Sequence, residues 1–375
     1  MVSKLGKIKN RTGKPQNIFE KEQEIFNKCS KLEDNLPRFM NGYFIYLRSS
    51  VLPMTRLAYL QDITFFCDYL VESAMFEAQT IKDLTAFDFE KIRAKDINVF
   101  IDYARRYEKD KNDGVYIYEN HNRSLARKKT SLSMLFKYLF RDEILSKNIT
   151  DGLDPIKVAK PAETEIKALT DDEVRTMLKA VETGEGMTKK QLEYFEKTKK
   201  RDKAILLLFL TYGLRISELQ QLNVDSFNFD RQEFKIYRKR GKESIMPMNI
   251  SCDIAIHEYL DMERKNDDEL LDEHKNALFL SLQGKRMTER QIRELVKKYT
   301  AIALKTTQKN GYSPHKLRAT AATSLIGRGE DIFDVQLLLD HENVTTTQLY
   351  AKHKENVKKR LINNMEWDLE NTDEK

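Results

Sequence analysis

Only three cysteines occur in 375 residues, Cys29, Cys67 and Cys252, and they are odd in number and far apart. No CxxC pair offers a zinc or redox site, so they read as buried or incidental thiols. No run of roughly 18 apolar residues exists, which excludes a membrane-spanning helix; the longest apolar stretch, around 204–210, reads as a buried helix. The basic start, MVSKLGKIKNRTGK, has no apolar stretch behind it and so lacks the central element of a secretory signal, which makes a cytoplasmic location the expectation. Neither a repeat nor a low-complexity tract interrupts the chain.

What is present is an ordinary soluble composition, 40% hydrophobic and 33% charged. The length suits two domains of about 100 to 200 residues better than one core. The net charge is only +6, but residues 1–160 hold 28 Lys+Arg against 22 Asp+Glu, while residues 161–375 hold 37 of each. This N-terminal excess fits a polyanion such as DNA and is also compatible with a merely soluble surface.

Residues 1–30 are polar with little periodicity and read as a loose arm with a short helix. Residues 31–152 read as a small helical bundle. Phe44 and Leu47 share one face; Leu60, Ile63, Phe66 and Leu70 form another stripe; Leu125, Leu132, Leu135, Phe136 and Leu139 form a third. No alternating strand pattern competes in this half, and residues 110–122 look like a polar connection. Gly152, Pro155 and Pro161 then break the helical spacing, marking a linker over 153–167. The second domain, 168–363, opens with Thr170 and Glu173 at capping-box spacing, so a helix is expected from Asp171. The polar stretch 183–200 reads as an insertion or an extended charged helix. Extended pieces at 234–238 and 244–248 flank a turn at Arg240 and Gly241, giving a hairpin. Helical patterns resume at 254–262, 288–302, 315–326 and 331–339, and residues 364–375 form an acidic tail. The expected fold is mainly α, with a helical N-terminal bundle followed by a mostly helical domain carrying a small antiparallel β-sheet.

Four segments carry the chemistry: TYGLRISEL at 211–219, YRKRGKESIMP at 237–247, SPHKLRATAATSL at 313–325 and LLLDHENVTTTQLY at 337–350. Taken singly, Arg215 or Arg318 reads as a surface arginine and His315 as a helix cap. Their joint order is Arg215, Lys239, His315 three before Arg318, His341, and Tyr350 nine further on. In that order they resemble the tyrosine recombinase, or phage integrase, family over roughly 165–360. The Xer branch, particularly its single-protein form, is the best match, and the N-terminal bundle resembles that family's core-binding domain. The resemblance implies catalytic roles for Arg215, Lys239, His315, Arg318, His341 and the nucleophile Tyr350, with Glu218 supporting the site. One departure is visible: where the family usually reads LGH, this chain has Leu339, Asp340, His341. Aspartate tolerates the left-handed backbone region better than most residues, so the helix end can survive the change. A carboxylate near the phosphate would repel it unless it points away.

The residue types suit the implied reaction. Two arginines can clamp the nonbridging oxygens where charge accumulates during attack on a phosphodiester. They replace a metal, and no carboxylates cluster persuasively for a two-metal site, so neither metal nor cofactor is expected. Tyrosine has an ordinary pKa of about 10 and needs its proton withdrawn, for which His315 is the best candidate, with His341 as a further donor. Lys239 can protonate the departing 5′ hydroxyl; Lys242 is its rival on the same hairpin, and family spacing favours Lys239. Arg238, Arg240 and Lys242 are candidate phosphate contacts, as are Arg127, Lys128 and Lys129 at a helix start and Arg56 beside Thr55 and Tyr59. Salt-sensitive DNA affinity follows from such contacts.

Family resemblance further implies double-stranded DNA with inverted-repeat half-sites, a homodimer on one site, and a homotetrameric synapse that passes through a Holliday junction. The amphipathic piece 356–365 resembles the helix that docks in a neighbouring protomer. Chromosome dimer resolution, with a part in chromosome partition and cell division, and mobile-element integration or excision use the same parts; the absence of an obvious arm-binding domain favours the former. A noncatalytic DNA-binding protein is the different-class alternative, and a type IB topoisomerase shares the covalent chemistry.

Overall fold

The computed structural model describes residues 9–111, 113–158, 167–238 and 241–340. The chain divides into two compact units, Met1–Ala159 and Lys160–Lys375, each with its own hydrophobic core.

In the first unit α1 (Gln16–Asn35), α2 (Asn41–Ser50), α3 (Pro53–Glu72), α4 (Ala86–Lys91) and α5 (Ala94–Tyr103) lead to a hairpin, β1 (Arg106–Lys111) and β2 (Gly114–Glu119), and then to α6 (Asn122–Arg141). The apolar stripes of α3 and α6 meet: Leu60, Ile63, Phe66 and Leu70 share one core with Leu125, Leu132, Leu135, Phe136 and Leu139. Phe66, Phe89, Phe100 and Phe136 pack edge-on or stacked at its centre.

Two expectations need correction here. Where a loose arm with a short helix was expected, α1 runs for 20 residues and buries Ile18, Phe19, Cys29 and Glu33. Its apolar positions are too sparse to announce a helix this long. The supposed polar connection is largely a β-hairpin, with Tyr107 paired to Tyr118 and Asp110 to Val115. Strand β1, RYEKDK, is too charged to show apolar alternation. Its order comes from contacts that a local pattern cannot reveal, with Tyr107 stacked on Tyr118 at 5.3 Å and 4.8 Å from the Phe65 ring of α3.

The second unit begins with α7 (Asp171–Thr183), whose N-cap Thr170 accepts from the Glu173 amide while Glu173 accepts from the Thr170 amide. Of the two readings of the polar stretch 183–200, the single extended charged helix is corrected: Gly184 ends α7 in the left-handed conformation, and the separate short helix α8 (Lys189–Phe195) follows. Helix α9 (Lys199–Tyr212) is buried around most of its circumference and packs against α7, α11 (Ile250–Met262) and α14 (Pro314–Arg328). Short α10 (Ile216–Gln220) leads into an antiparallel sheet of β3 (Phe227–Asn228), β4 (Glu233–Tyr237) and β5 (Glu243–Pro247). Strand β4 alternates, placing Phe234 and Ile236 in the core. The remaining α-helices among the described residues are α12 (Asp272–Lys275), α13 (Glu289–Ala303) and α15 (Ile332–Leu339); α15 packs Val335 and Leu339 on Ala319, Ala322 and Ile326 of α14.

Candidate active site

The turn between α9 and α10 creates the first wall. Gly213 caps α9 with φ 57°, and a Cβ there would lie 2.5 Å from a Leu339 methyl, so both its conformation and its close neighbour require glycine. Two residues on, Arg215 is the N-cap of α10. Glu218, buried one turn later, holds it twice: Oε2 accepts the Arg215 amide at 2.8 Å and Oε1 accepts Nη1 at 2.6 Å. The other arm, Nη2, donates to the carbonyl of Asp340 at 3.0 Å.

Helix α14 supplies the second wall. Pro314 occupies its first turn, where a missing N–H costs nothing, and His315 follows beside it. Arg318 is one turn deeper and buried; Nη1 donates to the Gly213 carbonyl at 2.7 Å and Nη2 to the Leu339 carbonyl. His315 is exposed as a residue, yet partial burial is the largest influence lowering its pKa below 6.5; Arg318, Lys316 and Arg215 add to it. The imidazole is therefore held neutral at neutral pH, able to accept a proton.

The third wall is the end of α15. Asp340 takes the left-handed conformation, φ 49° and ψ 52°, and its carboxylate turns to Lys242, with Oδ1 3.1 Å from Nζ. Partial burial pushes this carboxyl up but is outweighed by the Lys242 hydrogen bond and the Arg238, Lys242 and Arg215 charges, leaving it below its ordinary value. Three successive carbonyls of this helix end are each claimed by an arginine: Leu338 by Arg238, Leu339 by Arg318 and Asp340 by Arg215. Carbonyls at a helix C-terminus have no intrahelical donor and carry the negative end of the helix dipole, which is why cations collect there. This cluster was not legible in the sequence, apart from the left-handed tendency at Asp340.

The structure thus brings together Arg215, Glu218, His315 and Arg318. Lys239, Arg240, His341 and Tyr350 lie outside the described residues, as does the segment 356–365. Several expected DNA contacts are corrected. Arg238, expected as a phosphate contact, is 6% exposed and points inward with Phe234 and Ile236. In the first unit Arg56 is buried against Glu33, 2.5 Å away, and Lys128 is buried against Asp62, 3.0 Å away. Both cations are neutralised inside the bundle and do not face a polyanion. Arg127, partly exposed, also pairs with Asp62, and Lys129 donates to the carbonyls of Leu153 and Asp154. Lys242 is exposed and carries the Asp340 pair.

Comparison with known proteins agrees with this architecture. The model of the phage integrase family matches residues 167–356. The chain is 30% identical over 350 residues to the tyrosine recombinase XerC of Caldanaerobacter subterraneus subsp. tengcongensis, covering 92% of this chain and 90% of that one. In fold it is similar to the XerH site-specific recombinase bound to palindromic difH substrate, with a TM-score of 0.59 at 17% identity over 95% of this chain and 90% of that one. It is also similar to the Tn1549 transposon integrase in complex with circular intermediate DNA, with a TM-score of 0.56 at 20% identity over 91% and 99%. The chain belongs to the phage integrase family, the tyrosine site-specific recombinases. Its place within that family is the Xer branch.

Proposed function

We propose that this recombinase cuts and rejoins double-stranded DNA through a 3′-phosphotyrosyl intermediate on Tyr350. The observation that carries the reading is the convergence of Arg215 and Arg318 on the last turn of α15, whose chain continues directly into His341 and, nine residues later, Tyr350.

In the proposed cleavage step the Tyr350 phenolic oxygen bonds to phosphorus as the bond from phosphorus to the 5′ oxygen breaks. The phenolic proton passes to His315, and the leaving 5′ oxygen takes a proton from the Lys239 ammonium. Arg215 and Arg318 meet the charge on the nonbridging oxygens, with His341 as an added donor and Glu218 fixing the Arg215 fork. The phosphotyrosyl link conserves the energy of the broken bond, so the 5′ hydroxyl of a partner strand can reverse the step without ATP, and the arginines supply the charge a metal would.

Two protomers on an inverted repeat, and two such pairs in a tetrameric synapse, would exchange strands pairwise through a Holliday junction. The nearly full-length similarity to a XerC favours chromosome dimer resolution in the cytoplasm over integration or excision of a mobile element. Among the described residues no helix is long and apolar enough to cross a membrane.

The test is covalent trapping on nicked suicide DNA carrying Xer-type inverted repeats, in EDTA, with the native chain and Tyr350→Phe. A denaturant-resistant adduct in the native sample alone is expected. DNA binding without an adduct from either protein would shift the reading to a noncatalytic DNA-binding role.

A further inference from the structure

Asp340 stands where the family usually has glycine, and a carboxylate beside arginines that bind phosphate is a charge of the wrong sign. Its contacts show what it holds. Arg215 is anchored through both terminal nitrogens, Nη1 to the Glu218 carboxylate at 2.6 Å and Nη2 to the Asp340 carbonyl at 3.0 Å. A planar fork held on one arm can pivot about that contact; a second anchor on the other arm stops the pivot and still leaves N–H donors for an anion. The Asp340 carbonyl is aimed by that residue's own left-handed backbone, φ 49° and ψ 52°.

Two tethers from the base of the β4–β5 hairpin fasten this helix end. Lys242 Nζ lies 3.1 Å from Asp340 Oδ1, and Arg238 Nη2 donates to the Leu338 carbonyl at 2.8 Å. The tethers share one root, because the Arg238 amide donates to the Lys242 carbonyl at 2.8 Å. Arg238 Nε and Nη1 are buried with no hydrogen-bond partner among the described residues. An apolar side chain would fill that inward position at less cost, so stability alone does not account for the guanidinium. The acceptor it does reach belongs to the turn that ends in Asp340.

We infer that Asp340 is a positioning residue for Arg215: locked to Lys242 through its carboxylate, and seated on a turn that Arg238 holds, it presents its carbonyl to Nη2 and completes the orientation that Glu218 begins. The inference rests on the proposed role of Arg215 at the nonbridging oxygens. It gives Asp340 an effect opposite in sign to its charge. A carboxylate acting only by repulsion slows cleavage, and neutralising it speeds the reaction; one that holds Arg215 in place does the reverse.

The experiment measures single-turnover cleavage of suicide DNA with an ordinary scissile phosphate and of the same DNA with a methylphosphonate there, each diastereomer separately. Methyl in place of a nonbridging oxygen removes the charge that an arginine meets, so losing or misplacing that arginine matters less. Arg215→Ala should fall about 100-fold or more on phosphate, the scale of losing a donor to a developing oxyanion, and by much less on one diastereomer. On phosphate Asp340→Asn and Lys242→Met should each fall about three- to tenfold, and on that diastereomer return to within about twofold of native. The double variant should lie within about twofold of either single one, because both break the same tether. Both side chains reach solvent and asparagine suits the left-handed cap, so neither variant disturbs a core. Faster or unchanged cleavage of phosphate by Asp340→Asn, equal slowing on phosphate and both diastereomers, or fully multiplicative losses in the double variant overturn the positioning role while leaving tyrosine cleavage intact. Equal loss by Arg215→Ala on every substrate removes the role of Arg215 at the nonbridging oxygens and this inference with it. No adduct from the native chain on phosphate removes the proposed function as a whole.

Discussion

Arg215 and Glu218 grip each other at two points, through the Arg215 amide and through Nη1, and the carboxylate that does so is almost fully buried. Glu218 thus both caps α10 and sets the plane of the guanidinium. Glu218→Ala removes the buried partner and should cost about 2–4 kcal/mol in unfolding free energy, measurable by urea titration. Cleavage by the folded fraction should fall as well, because among the described residues the released fork has no other carboxylate as a hydrogen-bond partner.

Asp340 occupies a left-handed cap that glycine adopts without strain. Asp340→Gly should relieve up to about 1 kcal/mol of backbone cost. It forfeits a pair with a largely exposed lysine, itself worth at most about 1 kcal/mol. Thermal melts should therefore place native and variant within about 1 kcal/mol of each other, and a large loss would mean the carboxylate does more than hold Lys242.

The lowered pKa of His315 has two consequences of definite sign. Between that value and 6.5 the unfolded chain binds a proton that the folded chain does not, so stability falls as pH falls through this window, and His315→Gln should flatten that dependence. In the proposed mechanism cleavage uses the neutral imidazole, so the midpoint of the acid limb of its rate should lie below pH 6.5. Lys316→Gln removes one of the charges that depress the group and should move the acid limb to higher pH.

Buried cations in the first unit should behave as fold elements. Among the described residues, Lys128→Met leaves Asp62 without one of its two cations, and Arg56→Met leaves Glu33 with only the half-exposed Arg48; each should lower stability by about 2–4 kcal/mol. The slope of log affinity against log salt on DNA should stay unchanged, whereas loss of a true phosphate contact reduces it by about one.

These cases mark what the sequence could and could not disclose. The capping box at Thr170 and Glu173, the apolar stripes of α3 and α6 and the glycine-containing hairpin are written in neighbouring residues, and the helices and strands follow them closely. The order Arg215, His315, Arg318 was readable only through its resemblance to the family's pattern, since each residue taken singly has an ordinary structural reading. What was not readable depends on partners distant in the chain: Lys128 looked like a surface cation because Asp62 lies 66 residues away. Arg238 looked like a phosphate contact because its acceptor, the Leu338 carbonyl, is 100 residues off and is backbone, which leaves no mark in composition. Strand β1 was hidden for the same reason, its order resting on rings from α3 and β2.

The most direct test of the account is to digest a trapped protein–DNA adduct and identify the modified peptide by mass spectrometry. The expected result is a nucleotide joined through its 3′ phosphate to Tyr350. A nucleotide on any other residue, such as Tyr312, or a link through a 5′ phosphate, would contradict it.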